Sequence, residues 1–180
     1  IPIVGDTVDW EVELVVVIGT RATAVDEADG WSHVAGLAVG QDVSDRHLQF
    51  AAGAQFSLGK SRPGFGPIGP WLVTADDLAD RDDLALGCSV DGEVVQEGRT
   101  VDLVFSVPRL VAELSAVLLL EPGDVIFTGT PGGVGQGMDP PRFLQPGEVV
   151  VSEIEGVGRL RNRMVAPRLA ARPGPPGGPR

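Results

Sequence analysis

The sequence predicts an α+β fold in which β-structure predominates, and three observations carry that prediction. The 25 glycines and 15 prolines make up roughly one residue in five of the 180, a density that suits short strands joined by tight turns better than a helical bundle. Runs rich in valine and isoleucine, each of strand length, recur between those breakers. The clearest helical period is confined to one segment, residues 107–120.

Taken in order, Trp10–Ile18 reads as a strand ended by Gly19, and Asp26–Ser32 as a short helix with acidic residues in its first turn, where the helix dipole favours them. His33–Val43 is β-like again, with bends at Gly36 and Gly40, and residues 44–49 read as a helical turn leading away. Leu86–Val95 is a hairpin, because Asp91-Gly92 supplies the positive φ angles of a two-residue turn. In the segment Val107–Leu120, Ser106 is the N-cap, Pro108 sits where its missing N–H costs nothing, and Pro122-Gly123 ends the helix. Its Leu110, Val111, Leu114, Val117 and Leu118 form an apolar stripe that should pack on a sheet. Val125–Thr128 is a short buried strand feeding a glycine-rich loop, 129–137. Val149–Ile154 and Gly158–Val165 form a last pair across Gly156. Residues 166–180 hold five prolines, three glycines and three arginines around one large apolar residue, Leu169; such a segment cannot bury a core and is expected to be a disordered tail. The folded domain is therefore 1–165.

A chain of this length makes one domain, and 43% hydrophobic with 22% charged residues is the composition of a globular protein rather than a disordered one. Lys and Arg number 14 against 25 Asp and Glu, a net charge of −11, which argues against a nucleic-acid partner, whose affinity would need a basic patch. The single cysteine, Cys88, cannot form an internal disulfide and points to a reducing cytoplasm. No apolar run reaches the roughly 18–20 residues of a membrane span. The chain opens on Ile1 rather than Met, and reads as the remainder of a longer product.

Two phosphate-binding readings fail. Gly59-Lys60-Ser61 lacks the glycine six residues before the lysine, where Ala54 stands. Gly133-x-Gly135-x-Gly137 runs into Asp139-Pro140-Pro141, leaving no helix N-terminus for a pyrophosphate. That loop is shaped either to approach a small ligand or simply to turn. Glu11 and Glu13 are more informative. Residues two apart on a strand share a face, while Trp10, Val12 and Leu14 are apolar on the other, and Val15–Ile18 continue without a break, as in a strand buried on both sides. Two carboxylates there repel and desolvate unless a cation neutralises them; on a solvated face they would be ordinary. Asp42 adds a third carboxylate at the end of a β-like segment, and a set of oxygens without Cys or His selects Mg²⁺ or Mn²⁺ over Zn²⁺. His33 and His47 show no ligand spacing and read as surface or packing residues. Cys88 has nothing near it to lower its pKa.

Four motifs occur in order: Asp9-Trp10-Glu11-Val12-Glu13-Leu14; Gly40-Gln41-Asp42-Val43-Ser44; Leu58-Gly59-Lys60-Ser61 with Gly66-Pro67-Ile68-Gly69-Pro70-Trp71; and Gly123-Asp124-Val125-Ile126-Phe127-Thr128-Gly129-Thr130-Pro131. Together they resemble the fumarylacetoacetate hydrolase family, in its short bacterial form with the catalytic domain only. The resemblance implies mixed β-sheets rolled into a sandwich with a few peripheral helices, and a homodimer. It implies that Glu11, Glu13 and Asp42 bind Mg²⁺ or Mn²⁺, that Lys60 is catalytic beside the metal, and that Gln49 and Thr130 bind substrate. The substrates it implies are small 2-oxo acids, chiefly acylpyruvates cleaved at a C–C bond.

Two departures stand out. Gly64 occupies the position, four after the lysine, where the family commonly has threonine. The family's water-activating histidine and its glutamate lie upstream of the metal glutamates, and none of the ten residues before Glu11 is a histidine. The expected activity is a metal-dependent C–C bond hydrolase. A decarboxylase (oxaloacetate among its substrates) or isomerase of dienoic diacids would use the same metal site, and a non-catalytic, metal-binding, oligomerising remnant is the reading from outside enzymology.

Overall fold

A computed structural model describes residues 1–51, 53 and 55–167; from residue 168 onward the expected tail lies outside the described residues. The chain begins with β1 (Val8–Asp9) and β2 (Val12–Ile18), passes through a 3-10 turn (Glu27–His33) into β3 (Val34–Gln41) and β4 (Ser44–Asp45), and then makes two short helices, α1 (Arg46–Ala51) and α2 (Ser57–Lys60). The strands β5 (Ile68–Val73), β6 (Ala85–Val90) and β7 (Glu93–Arg99) precede helix α3 (Val107–Ser115), and β8 (Val125–Phe127), β9 (Val149–Ile154) and β10 (Gly158–Arg163) complete the fold.

Two four-stranded sheets, in the orders β5-β3-β2-β8 and β10-β9-β6-β7, pack face to face, and β1 pairs with β4 in a small third sheet. Every pairing between these strands is antiparallel; the parallel contact is an isolated bridge from Pro2 to Val165. Alternate residues of β2 (Val12, Leu14, Val16 and Ile18) meet Leu37 and Val39 of β3 and Leu86, Val90, Val150 and Ile154 of the opposite sheet. Each such side chain contributes about 1.5–3 kcal/mol on burial. The other face of β2 is covered as well. Gly40 lies opposite Glu13, and a Cβ there would come within 2.4 Å of Val15 and 2.7 Å of the Phe127 ring. The absent side chain is what lets Phe127 close over Val15, so the strand carrying the glutamates is buried on both sides as its sequence predicts.

The β6–β7 hairpin turns on Asp91 and Gly92, at φ +50° and +88°, as expected. Three details differ from the sequence reading. Helix α3 starts at the Ser106 cap, whose Oγ accepts from Arg109 N, but it stops at Ser115, because Leu120 is drawn into a two-way backbone pairing with Ala22. Val117 and Leu118 are consequently exposed, at 83% and 54%, and the helix packs chiefly on the 3-10 turn through its Val107 and Val111 side rather than on a sheet. β8 is an edge strand with Val125 exposed rather than a buried one. Finally, Ile68–Val73, for which the sequence reading has no strand, pairs with β3 despite the Gly69-Pro70 pair in it; proline is tolerated there because this strand is an edge. No helix among the described residues is long and apolar enough to cross a membrane.

Candidate metal centre

Glu11 and Glu13 flank Val12, the first residue of β2. The β2–β3 register sets Val12 against Gln41, so the chain leaves β3 with Asp42 beside Glu11, and Asp42 N donates to Glu11 O at 2.8 Å. One carboxylate oxygen from each of Glu11, Glu13 and Asp42 lies within 4.8 Å of the others. Glu11 and Glu13 are buried and Asp42 half-buried. The three acids named from sequence thus converge on one point.

Two cations face them. Lys60 Nζ sits 2.5 Å from both Glu11 Oε2 and Asp42 Oδ2. Arg46 Nη1 lies 2.6 Å from Glu11 Oε1, and its Nη2 2.8 Å from Asp9 Oδ2. Lys60 is placed there by the packing of α2 on α1, which depends on Gly59: a Cβ at that residue would meet the Gln49 backbone at 2.7–2.8 Å. The following loop is pinned by Arg62, whose guanidinium reaches buried Asp45 at 2.7 Å. Four carboxylates (Asp9, Glu11, Glu13, Asp42) against two cations leave two negative charges in excess, which one divalent ion would balance.

Burial, more than the neighbouring charges, sets the acidity of this cluster. Burial pushes the Glu13 carboxyl up to about 8; the Gly129 N–H works against this, and the charges of Asp42 and Glu11 reinforce it. Asp42 is also raised, by burial first and with Lys60 opposing. Burial alone would lower Lys60, but its hydrogen bonds to Asp42 and Glu11 outweigh it, and the ammonium is held charged. A buried group of oxygens this electron-rich suits a hard cation.

The two residues expected at the substrate are both engaged within the protein. Gln49 is buried, and its Oε1 accepts from Arg46 Nη1 at 3.0 Å. Thr130 Oγ1 donates to Val12 O at 2.9 Å and accepts from Gln96 Nε2 at 2.8 Å. Sequence reasoning missed four residues that build the site. Asp9 accepts from Trp10 N, Gly135 N, Gln136 N and Arg46, and so ties the 133–137 loop to the acids. Arg46 bridges three partners, Gln41 Oε1 accepts from Glu11 N, and Gln96 Oε1 accepts from Val12 N. Neither histidine joins the cluster: His47 is exposed, and His33 Nδ1 lies by Thr20 O. Cys88 is buried in the core beside Gln41, and its thiol is pushed up to about 12, by burial above all. A cavity of about 740 Å³ lies on the second sheet around Gly87, Ser89, Glu97 and Arg159, and none of Glu11, Glu13 and Asp42 lines it.

Fold and site together define an antiparallel β-sandwich protein with a buried acidic cluster able to hold a metal ion. The fumarylacetoacetate (FAA) hydrolase C-terminal family matches residues 1–165, and the chain belongs to that family. It is similar to a fumarylacetoacetate hydrolase from Exiguobacterium antarcticum (41% identity, TM-score 0.87, covering 91% of this chain and 58% of that one). It is also similar to a 5-carboxymethyl-2-hydroxymuconate delta-isomerase from Mycobacterium smegmatis (38%, 0.83, 94% and 64%). A third similar structure is a fumarylpyruvate hydrolase from Pseudomonas aeruginosa in complex with Mn²⁺ and pyruvate (34%, 0.83, 93% and 70%). A curated relative from Burkholderia cenocepacia is 51% identical over 156 residues; the match takes in 86% of this chain and 55% of the relative. The chain thus spans about half the length of the curated relatives it matches.

Proposed function

We propose that this chain carries the metal-dependent catalytic site of an enzyme acting on a small 2-oxo acid, with C–C bond hydrolysis of an acylpyruvate as the leading reaction. The observation that carries the reading is the convergence of three carboxylates at the buried start of β2, faced by two cations, one of which Asp9 shares. Glu11, Glu13 and Asp42 would hold Mg²⁺ or Mn²⁺, and the Mn²⁺ and pyruvate bound by the Pseudomonas hydrolase support that ligand chemistry. Such an ion supplies Lewis-acid stabilisation of the enolate that forms as the bond to the 2-oxo acid breaks.

The chain's own residues supply the rest. The Lys60 ammonium, charged and already aimed at the acids, adds positive potential where negative charge develops. Arg46 holds Glu11 and Gln49 in place, so that the Gln49 amide borders the substrate's position. Thr130 presents its oxygen from the loop that also fixes Glu13. Hydrolysis further requires a base for water, and neither His33 nor His47 reaches the acids. The second reading on the same site is decarboxylation or isomerisation, in line with the isomerase among the similar structures. We further propose a homodimer; Ile68, Trp71 and Leu72 stand exposed along the edge strand β5 and offer it an apolar seam.

The deciding experiment is a turnover screen of acetylpyruvate, oxaloacetate and a dienoic diacid with Mn²⁺ and with EDTA. Metal-dependent turnover of any of them supports the site, and its pattern ranks the reactions. A chain that turns over none of them and binds no Mn²⁺ would refute the assignment, while Mn²⁺ binding without turnover would favour the non-catalytic remnant. Sedimentation equilibrium giving a monomer at micromolar concentration would refute the dimer.

A further inference from the structure

Beyond Phe127 the chain leaves β8 yet stays along β2: Thr128 N still donates to Leu14 O at 3.2 Å, and two threonine hydroxyls follow the same strand. Thr128 Oγ1 donates to Leu14 O at 3.0 Å and Thr130 Oγ1 donates to Val12 O at 2.9 Å, two residues apart in both segments, as in an antiparallel pair. Between them Gly129 N donates to Glu13 Oε2 at 2.7 Å. The aim of the Glu13 carboxylate therefore depends on where this loop lies.

Gln96 fixes the loop from the opposite sheet. It is 2% exposed, a neutral amide among apolar neighbours, and three of its hydrogen-bonding positions are used. Its Oε1 accepts from Val12 N at 3.0 Å, and its Nε2 donates to Thr130 Oγ1 at 2.8 Å and to Pro131 O at 2.9 Å. Val12, the residue between the two glutamates, has its N–H held by Gln96 and its carbonyl held by Thr130, while Gln96 and Thr130 hold each other. The closed triangle also sets the polarity of Thr130: because Gln96 donates into the hydroxyl oxygen, the hydroxyl's one proton must point elsewhere, here to Val12 O.

We propose that Gln96 is a positioning residue for the metal centre, locking the Val12 peptide to the Thr128–Pro131 loop and so aiming Glu13 through the Gly129 N–H. The inference rests on the metal-binding reading of the acidic cluster. Partners one layer out from a metal's ligands commonly change affinity by about 10–100-fold when removed, and that range is expected here.

The test measures Mn²⁺ affinity by calorimetry for the wild type, Gln96→Met, Thr130→Val and the double variant, with circular dichroism to establish that each is folded. Gln96→Met should weaken Mn²⁺ binding by at least tenfold, and adding Thr130→Val should cost little more, because both substitutions open the same triangle. A glutamine that merely satisfied the core would lower the melting temperature and leave the Mn²⁺ affinity of the folded protein unchanged. Should Gln96→Met fail to fold, Gln96→Glu serves instead: it keeps an acceptor for Val12 N but turns an oxygen toward Pro131 O, and should show the same loss. Equal Mn²⁺ affinity in wild type and the folded Gln96 variants would overturn the proposal while leaving the metal site standing. No Mn²⁺ binding by the wild type would overturn the metal reading itself.

Discussion

Replacing Glu13 by glutamine should stabilise the metal-free protein and abolish its stabilisation by metal. With its carboxyl pushed up to about 8 by burial, Glu13 is protonated in the metal-free fold at pH 7 but ionised in the unfolded chain. Folding must therefore take up a proton. The gap of about 2.5 pH units between its ordinary value and pH 7, at about 1.4 kcal/mol per unit, makes this cost about 3 kcal/mol, rising to about 5 kcal/mol at pH 8 and above. An acid whose pKa is raised in the fold contributes its full stability only below its unfolded value and loses it as pH rises through the folded one. Glutamine keeps an oxygen for the Gly129 N–H and carries no charge. In EDTA, Glu13→Gln should match wild type near pH 4 and exceed it increasingly from pH 5 to 8. The melting temperature should be higher by about 6–12 °C at pH 7, given 2–4 °C per kcal/mol for a chain of this size. Mg²⁺ at a thousand times its Kd should reverse the order at pH 7, since it adds about 4 kcal/mol to a protein that binds it. Differential scanning fluorimetry across pH, with EDTA and with Mg²⁺, reads all of this. A variant less stable than wild type at pH 8 in EDTA, or Mg²⁺ stabilising both proteins equally, would refute the reasoning.

Three further outcomes are expected. Lys60→Met removes a positive charge in contact with two of the acids, so Mn²⁺ affinity should rise by roughly tenfold or more while pyruvate affinity of the Mn²⁺-loaded protein falls; calorimetry with each ligand would show an unchanged pair of values if Lys60 played no part. In this 180-residue chain oxaloacetate decarboxylation should outpace acetylpyruvate cleavage, since a general base is worth about 10²–10⁴-fold to the water-dependent step; fast acetylpyruvate turnover lost in His47→Ala would identify His47 as that base. Cys88, with a thiol pushed up to about 12 from 9.0, should react with iodoacetamide at pH 8 about 10³-fold more slowly in the folded than in the unfolded protein; the same sign of shift means that stability falls as pH rises above 9, and comparable labelling rates in the two states would contradict the burial.

How much of this was legible in the sequence follows from what each residue does. Glu11 and Glu13 could be read because two charges alternating on an otherwise apolar strand conflict with burial, and Asp42 because it ends the neighbouring strand. Lys60 could be found only through the resemblance: its approach to the acids depends on Gly59 packing against Gln49, a contact between two very short helices. Arg46, on α1, was hidden because its partners Asp9 and Glu11 lie far off in sequence, and Asp9, Gln41 and Gln96 were hidden for another reason. A lone polar residue on a strand looks solvated until the fold shows that its partner is a backbone group from a distant segment. The end of α3 was misjudged because the periodicity of 107–120 runs on past Ser115, and only the pairing of Leu120 with Ala22 interrupts it.

The threonine rungs that carry the chain along β2 after Phe127 bear on how this segment can be altered. A strand extended by backbone bonds can be altered only by shifting its register, which turns every side chain to the other face. Here Thr128 keeps a backbone bond to Leu14 O beside that of its hydroxyl, whereas the last rung, at Thr130, is held to Val12 O by a hydroxyl, a group that one codon encodes. The segment bordering the acids can thus be redrawn by point substitution while the sheet beneath keeps its pairing. The backbone-bonded frame of this sheet ends at Thr128, and the surface that follows can change without disturbing it.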